Sequence, residues 1–138
     1  MFRIPQPGFG TIQPEESWAH EQWLSDLMTA DHVIEGWHCD LKTGMFSVGE
    51  ITRSRHALDD SNCGLLDILR VYDPESRKIA LAILEEATAS ASCFCFCTLV
   101  ELDGGSTHPV WCVGTSTLGN ETTGDRMQGV FAYKRADL

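Results

Sequence analysis

The cysteines are the residues of this chain with the most obvious capacity for chemistry. Cys93, Cys95 and Cys97 occupy alternate positions of one apolar run, and Cys112 follows nearby. Thiolates could bind a metal or sense redox state, but tetrahedral zinc sites use C-x₂₋₄-C spacing across a turn. No Lys or Arg lies within the run to lower a thiol pKa, and alternate strand positions are unsuited to an unstrained disulfide. The pattern therefore predicts reduced cysteines that pack as small hydrophobes, and no metal site.

The histidines and acidic residues supply no recognisable catalytic pair. His56 lies in a short mixed segment, where it could contact a ligand, act as a haem ligand in an unusual position, or simply be satisfied within the protein. The adjacent pairs Asp59-Asp60 and Glu85-Glu86 point in different directions, which favours solvated faces. No nucleophile–base pair or phosphate-binding loop is visible. The sequence therefore predicts no catalytic residues and a protein that is not an enzyme.

The charge balance restricts the classes of partner. There are 20 Asp and Glu residues against 10 Lys and Arg residues, a net charge of −10, and this field would repel a phosphate backbone. We therefore expect no direct binding to nucleic acid. The apolar runs have the length of strands, so we expect no membrane insertion, and the N-terminus has no sustained apolar core typical of a secretory signal. Reduced thiols then fit a cytoplasmic protein.

A long antiparallel hairpin from Cys93 to Leu118 is the predicted centre of the fold. Strong β-formers are followed by the turn signal Asp103-Gly104-Gly105-Ser106 and by a second apolar run from Val110. Side chains alternate along a strand, so the phenylalanines and the cysteines occupy opposite faces. Both faces are apolar, which predicts a strand covered on both sides.

The other elements follow from periodicity and from turn and cap signals. The first 13 residues are rich in proline and predict an irregular arm. The predicted order is then helix, two strands, short helices, one longer helix and three strands. The predicted elements are an amphipathic helix from Pro14-Glu15-Glu16-Ser17 to about Ala30, strands Val33–Leu41 and Met45–Val48 joined at Gly44, short helices Ile51–Leu58 and Gly64–Val71, a helix capped by Asp73 that starts at Pro74, a loop from Gly119 to Gly124, and a strand from about Arg126 to Tyr133.

Tryptophans suggest an interaction surface. Trp18, Trp23 and Leu27 lie on the N-terminal helix, which has more apolar surface than an edge of its own sheet requires. We predict these three residues as a dimer or partner interface, with packing of the helix on its own sheet as the alternative. Trp37 and Trp111 are predicted on strands that flank each other.

Several local sequences resemble those of PAS domains of the bacterial sensor type. Trp37 to Gly44 (WHCDLKTG) resembles the opening hairpin pattern W-x-W/x-D-L-x-T-G, and Val71 to Arg77 (VYDPESR) resembles the H-P-E-D-R start of the long helix. Val100 to Trp111 resembles the hairpin R-x-x-D-G-x-x-R-W-V, and Gln128-Gly129-Val130 matches the final I-x-G-V. Their order and spacing together carry the resemblance, over residues 33 to 133.

The resemblance implies an α+β fold: a five-stranded antiparallel sheet with helices on one face, plus the N-terminal amphipathic helix. It divides the chain into an arm and helix at residues 1–32 and a PAS domain at residues 33–135. Members of the family hold haem, flavin or small metabolites between sheet and helices, and many dimerise through an N-terminal helix. The pocket residues that the resemblance implies are His56, Leu66, Leu69, Ile83, Phe96 and Trp111.

The departures from the family pattern argue against a bound cofactor. No His lies on the predicted long helix, Asn62-Cys63 is not followed by the Arg-Phe-Leu-Gln of the flavin photoadduct motif, and Phe131 stands where a flavin-binding Gln is expected. Ala132-Tyr133-Lys134-Arg135 replaces the Asp-Ile-Thr that leads to an effector helix in many PAS domains, as in a stand-alone module.

These observations predict a non-catalytic PAS signalling module of a bacterial two-component system. It would act as a homodimer or with a partner such as a sensor histidine kinase or another PAS protein, and could sense a small ligand. A cofactor-bearing sensor of haem, flavin or redox type, and a sensory domain cut from a larger kinase or cyclase, are the alternatives.

Overall fold

The computed structural model describes residues 4–14, 18–101, 105–119 and 125–138. Parts of the predicted helix start, central turn and final loop lie outside these ranges. The strands are Gly10–Pro14 (β1), His32–Asp40 (β2), Met45–Val48 (β3), Asn62–Gly64 (β4), Ser92–Glu101 (β5), Thr107–Thr117 (β6) and Arg126–Lys134 (β7). The helices are Ala19–Thr29 (α1), Glu50–Arg55 (α2), Leu65–Leu69 (α3) and Pro74–Ala89 (α4), and a 3₁₀ turn follows at Arg135–Asp137.

The central hairpin is confirmed. β5 and β6 pair antiparallel from Ser92↔Ser116 to Glu101↔Thr107, and nearly every residue of β5 is buried. The described strands form one antiparallel sheet in the order β1-β5-β6-β7-β2-β3-β4. The five predicted strands are its interior, and Gly44 takes the expected positive φ of 73° between β2 and β3.

Two short edge strands extend the sheet beyond the predicted five. The prediction of an irregular N-terminal arm is wrong from Gly10 onward, because β1 pairs with the open edge of β5 and Pro14 ends that strand instead of starting a helix. Gly10 permits this approach, since a Cβ there would lie 2.6 Å from the Cβ of Phe96. The second addition is β4, which pairs with β3 where the sequence predicted a loop leading into a helix.

Helices α2, α3 and α4 cover the inner face of the sheet. The predicted cap is confirmed: Asp73 Oδ1 accepts a hydrogen bond from the Ser76 amide at 2.8 Å, and Pro74 is the first residue of α4. The side chains of α4 that reach the sheet recur at helical spacing. The buried ones are Ser76, Ala80, Ile83, Leu84 and Ala87.

Helix α1 lies on the opposite, outer face. Trp23 and Leu27 are fully buried there, in a second apolar cluster with Cys93, Cys95, Cys97, Trp111, Val113 and Ala132. Helices α2, α3 and α4 thus cover one face, as predicted, and the N-terminal helix covers the other. Trp37 and Trp111 do not lie on neighbouring strands, because β7 separates β2 from β6, and they belong to opposite clusters.

Candidate functional site

A small apolar cavity lies between the inner face of the sheet and helices α3 and α4. Its volume is about 10 Å³, which is about the space for one water molecule. Typical ligand pockets are far larger, about 300 Å³ or more. The lining residues are Trp37, Phe46, Leu65, Ile68, Leu69, Tyr72, Ala80, Leu84, Phe96, Cys112 and Phe131.

Aromatic rings fill the space that a larger pocket would occupy. The ring centroid of Trp37 lies 5.5 Å from that of Phe46, 5.9 Å from that of Phe131 and 6.4 Å from that of Phe94. Such distances are those of directly packed aromatic pairs. A haem or a flavin would need these rings to move, so the arrangement does not fit either group.

A buried polar network surrounds His56 behind this cavity. His56 Nδ1 lies 3.1 Å from the Thr52 carbonyl oxygen, so it carries the proton and donates, and Nε2 accepts from the Tyr72 hydroxyl at 2.8 Å. The Tyr133 hydroxyl donates to Thr52 Oγ1 at 2.9 Å. Burial lowers the pKa of His56 to about 4, against a smaller opposing effect of the Thr52 hydrogen bond. The imidazole is therefore neutral at pH 7, and neither ring nitrogen is free to bind a haem iron.

Glu35 on β2 fixes the helix that carries this network. Its two carboxylate oxygens accept hydrogen bonds from the backbone amides of Ile51, at 3.1 Å, and Thr52, at 2.7 Å. These amides belong to the first turn of α2 and have no partner within the helix. The carboxylate therefore caps α2 from the sheet, and this contact sets the position of Thr52 and His56.

The cysteines are buried free thiols. Burial raises the pKa of Cys39 to about 11 and that of Cys97 to about 12, and it also raises that of Cys95. These thiols are protonated at neutral pH and are poor nucleophiles. Within the ranges that the structure describes, no group of three or more His, Cys, Asp or Glu residues is placed to hold a metal ion.

Three solved structures are similar to this chain. An RNA-binding light-oxygen-voltage receptor has a TM-score of 0.62 at 14% identity, over 76% of this chain and 30% of the receptor. A sensory box histidine kinase/response regulator from Burkholderia thailandensis E264 has a TM-score of 0.53 at 13% identity, over 84% of this chain and 86% of that one. The N-terminal domain of a diguanylate cyclase with PAS/PAC sensor from Marinobacter aquaeolei has a TM-score of 0.57 at 9% identity, over 74% and 94%.

The chain has the PAS fold. The resemblance found in the sequence is thus confirmed for the fold. The chain spans less than a third of the light-oxygen-voltage receptor. No protein-family model matches the sequence, and no curated protein matches it significantly.

Three of the six predicted pocket residues lie at the cavity or directly behind it. Leu69 and Phe96 line the cavity. His56 lies behind it, with its ring centroid 5.1 Å from that of Phe131. Ile83 belongs to the same inner core but does not line the cavity.

The remaining two predictions for the pocket are wrong. Leu66 is 80% exposed, because Leu65, Ile68 and Leu69 form the inward side of α3 and Leu66 points away from them. Trp111 faces α1, because it pairs directly with Cys97 and paired residues share a face.

Trp37, Tyr72 and Phe131 line the cavity and were not predicted as pocket residues. Strand alternation from Phe46 could have assigned Trp37, which sits on the same face two pairs away. Tyr72 lies in the α3–α4 connection, where no periodic pattern signals its direction.

The three predicted interface residues differ in exposure: one is exposed and two are buried. Trp23 and Leu27 are buried against the domain's own sheet, so they are unavailable to a partner while α1 lies there. Trp18 is 80% exposed and Met28 is 67% exposed, at opposite ends of α1. Beside α1, an open groove of about 400 Å³ runs over the outer face of the sheet. Its lining includes His20, Leu24, Gly36, His38, Gln128 and Val130.

Across the ranges described, no helix has the length and apolar character needed to cross a membrane.

Proposed function

We propose that this PAS domain is a non-catalytic signalling module that acts by binding protein, first of all a second copy of itself through the outer face. The observation that carries the proposal is the uncovered part of that face. Trp18 and Met28 are large exposed side chains on α1, and the groove beside the helix is open. Aromatic and Met side chains are enriched in protein interfaces, and Leu24 and Val130 add apolar surface within the groove itself.

A dimer formed there would be controlled by the packing of α1. Trp23 and Leu27 hold the helix on the cysteine-bearing face of β5, so a shift of either side chain would move Trp18 and Met28 together. Such a shift changes a dimer equilibrium only if the two packings differ in their affinity for the second copy. A sensor histidine kinase or another PAS protein would be the heterologous partner for the same surface.

Sedimentation equilibrium of the wild type, Trp18→Ser and Met28→Ser tests this proposal. We expect the wild type to dimerise on concentration, and each variant to weaken the dimer by about tenfold in Kd, since exposed aromatic and Met anchors dominate such interfaces. Leu66→Ser is the matched control, because Leu66 is as exposed as Trp18 but lies on the opposite face. A strictly monomeric wild type would contradict the homodimer.

A second candidate function is the sensing of a small ligand in the cavity. The indole Nε1 of Trp37 is buried and has no nitrogen or oxygen acceptor among the described residues. The acceptor it approaches is the Cys112 thiol, and sulfur is only a weak hydrogen-bond acceptor. A small ligand carrying an acceptor atom would satisfy this donor, provided that α3 moves outward to enlarge the cavity.

The absorption spectrum of freshly purified protein, with metal analysis of the same sample, separates these proposals from a cofactor-bearing sensor. We expect only tryptophan and tyrosine bands. Visible bands or bound metal would support the cofactor-bearing alternative and contradict the interpretation of the cavity as closed to haem and flavin. Mass spectrometry of small molecules released by unfolding then tests for a colourless ligand.

A further inference from the structure

A second groove, on the helical side of the domain, differs from the groove on the outer face because cations line it. It lies between α3 and α4 and encloses about 490 Å³. Its apolar part is formed by Leu66 of α3 and Leu81 of α4, which are 80% and 39% exposed. Neither leucine contributes to the buried inner core. These two exposed leucines, on adjacent helices, present their apolar surface to the same open groove.

Three cations surround these leucines. Arg70, Arg77 and Lys78 line the same groove and are exposed. Arg77 and Lys78 precede Leu81 by four and three residues, so all three lie on one side of α4. A chain with 10 basic and 20 acidic residues thus places three of its cations around one apolar groove.

These positive charges are only weakly neutralised within the domain. Arg77 donates through Nε and Nη2 to the backbone carbonyl of Tyr72, at 3.2 and 2.9 Å, and Arg70 donates to the carbonyl of Ala57. Neither arginine forms an ion pair in the ranges that the structure describes. Lys78 pairs with Glu75 at 3.5 Å, but both side chains are exposed and such pairs contribute little.

We propose that this groove docks an acidic amphipathic helix of a partner protein. Leucines at the centre would contact the apolar side of the helix, and the cations at the rim would pair with its carboxylates. Nucleic acid fits less well, because phosphates gain nothing from leucines and the net charge of −10 opposes their approach. A symmetric dimer through this groove would bring the cations of both copies together.

The groove shares a wall with the cavity. Leu69 lines both, and Tyr72, whose carbonyl holds Arg77, also lines the cavity. Helix α3 has only five residues, and its outward side is Leu66. A helix docked on Leu66 would therefore rest on the element that closes the cavity.

Fluorescence anisotropy with a synthetic probe tests the docking proposal. The probe is a labelled peptide of about 16 residues, or 24 Å of helix, with Leu at i, i+3, i+4 and i+7 and Glu at most other positions. Its scrambled isomer and a single-stranded oligonucleotide are the control probes. We expect Leu66→Ser, and separately the pair Arg70→Glu and Lys78→Glu, to raise the Kd of the probe by about tenfold. Added salt should weaken binding to the wild type more than to the charge-reversed pair. Phe9→Ser, at an exposed apolar residue outside both proposed surfaces, should leave the Kd unchanged.

Three results would overturn the proposal. The first is an absence of binding between the wild type and the probe at concentrations up to about 1 mM. The binding free energy would then be weaker than about −4 kcal/mol. The second is that the scrambled peptide or the oligonucleotide binds as tightly as the probe, and that Leu66→Ser does not change the Kd of the probe. The groove would then act only as a patch of positive charge. The third is a fall in the solution mass of the protein caused by Leu66→Ser, which would identify the groove as a contact between copies. Circular dichroism of each variant verifies that the fold is kept.

Discussion

Acidification should destabilise this domain through His56. The imidazole is buried and neutral, between the Thr52 carbonyl and the Tyr72 hydroxyl, and burial lowers its pKa to about 4. In the unfolded chain a histidine titrates near 6.5. Between these two values the unfolded chain binds a proton that the folded domain excludes. The stabilising contribution is therefore complete above about pH 6.5 and is lost as the pH falls towards 4.

The expected loss follows from the two pKa values. The whole interval of about 2.5 pKa units corresponds to about 3 kcal/mol of unfolding free energy. Between about pH 7.5 and about pH 5 the unfolded chain takes up most of this proton, and the loss is about 2 kcal/mol. Most carboxylates titrate below that pH window, so the change in unfolding free energy within it comes mainly from histidine.

Urea unfolding followed by tryptophan fluorescence measures this loss in the wild type and in His56→Gln. Glutamine can donate to the Thr52 carbonyl and accept from the Tyr72 hydroxyl, but it does not titrate. The difference in unfolding free energy between the two proteins should therefore shrink by about 2 kcal/mol from pH 7.5 to pH 5. His38→Gln is the control, because His38 is exposed on the outer face.

A constant difference between wild type and His56→Gln across this pH range would refute the reasoning. It would mean that His56 binds a proton in the folded domain about as readily as in the unfolded chain. The inference of a buried, neutral network that joins α2 to the α3–α4 connection would then be wrong, whatever the absolute stability of the variant.

Three further predictions test the packing that positions the cavity. Gly114→Ala should lower the unfolding free energy by about 1–3 kcal/mol, because its Cβ would lie 2.6 Å from Phe94 Cζ; thermal unfolding measures it, and an unchanged Tm would contradict the close approach. Asp73→Ala should cost about 1 kcal/mol through the lost cap of α4, visible as a lower urea midpoint, whereas Asp73→Asn should recover most of it. Tyr133→Phe should cost about 1 kcal/mol by leaving the hydroxyl of Thr52 without its donor, and the double variant with Thr52→Val should show that the two losses are not additive.

The interior of the sheet was predictable because its strands carry strong local signals. β5 alternates aromatic and cysteine side chains over two apolar faces, and β2, β3 and β6 carry turn signals at their ends. The start of α4 was equally clear, since Asp73-Pro74 is a cap followed by a residue suited to the first turn.

The edges of the sheet were not predictable from such signals. The segment around Gly10 is rich in Gly and Pro and has little β propensity of its own. It becomes a strand because the backbone N–H and C=O groups along the edge of β5 would otherwise be unpaired. Gly10 also packs against the side chain of Ile83 there. β4 is three residues long and too short to produce a pattern.

The errors at the candidate site concern the direction in which side chains point, not whether a segment is a helix or a strand. Four of the five residues of α3 are apolar, so its sequence does not indicate which leucine points outward. The direction of Trp111 depends on the register of the hairpin: a shift of one residue would have placed it in the inner core. Periodicity identifies that an element is amphipathic, but only its neighbours decide which side is covered.

The cavity shares a lining residue with each proposed docking surface. Leu69 lines the cavity and the groove between α3 and α4, and Trp37 contributes to the cavity and to the groove on the outer face. Adjacency alone does not couple two sites; a ligand must favour one packing over the other. The side chain most able to supply that preference is Trp37, because its buried Nε1 has no nitrogen or oxygen acceptor and its ring fills the space that a ligand would take. A ligand that accepted a hydrogen bond from this donor could enter only if the ring moved, because a cavity of about 10 Å³ has no room for both.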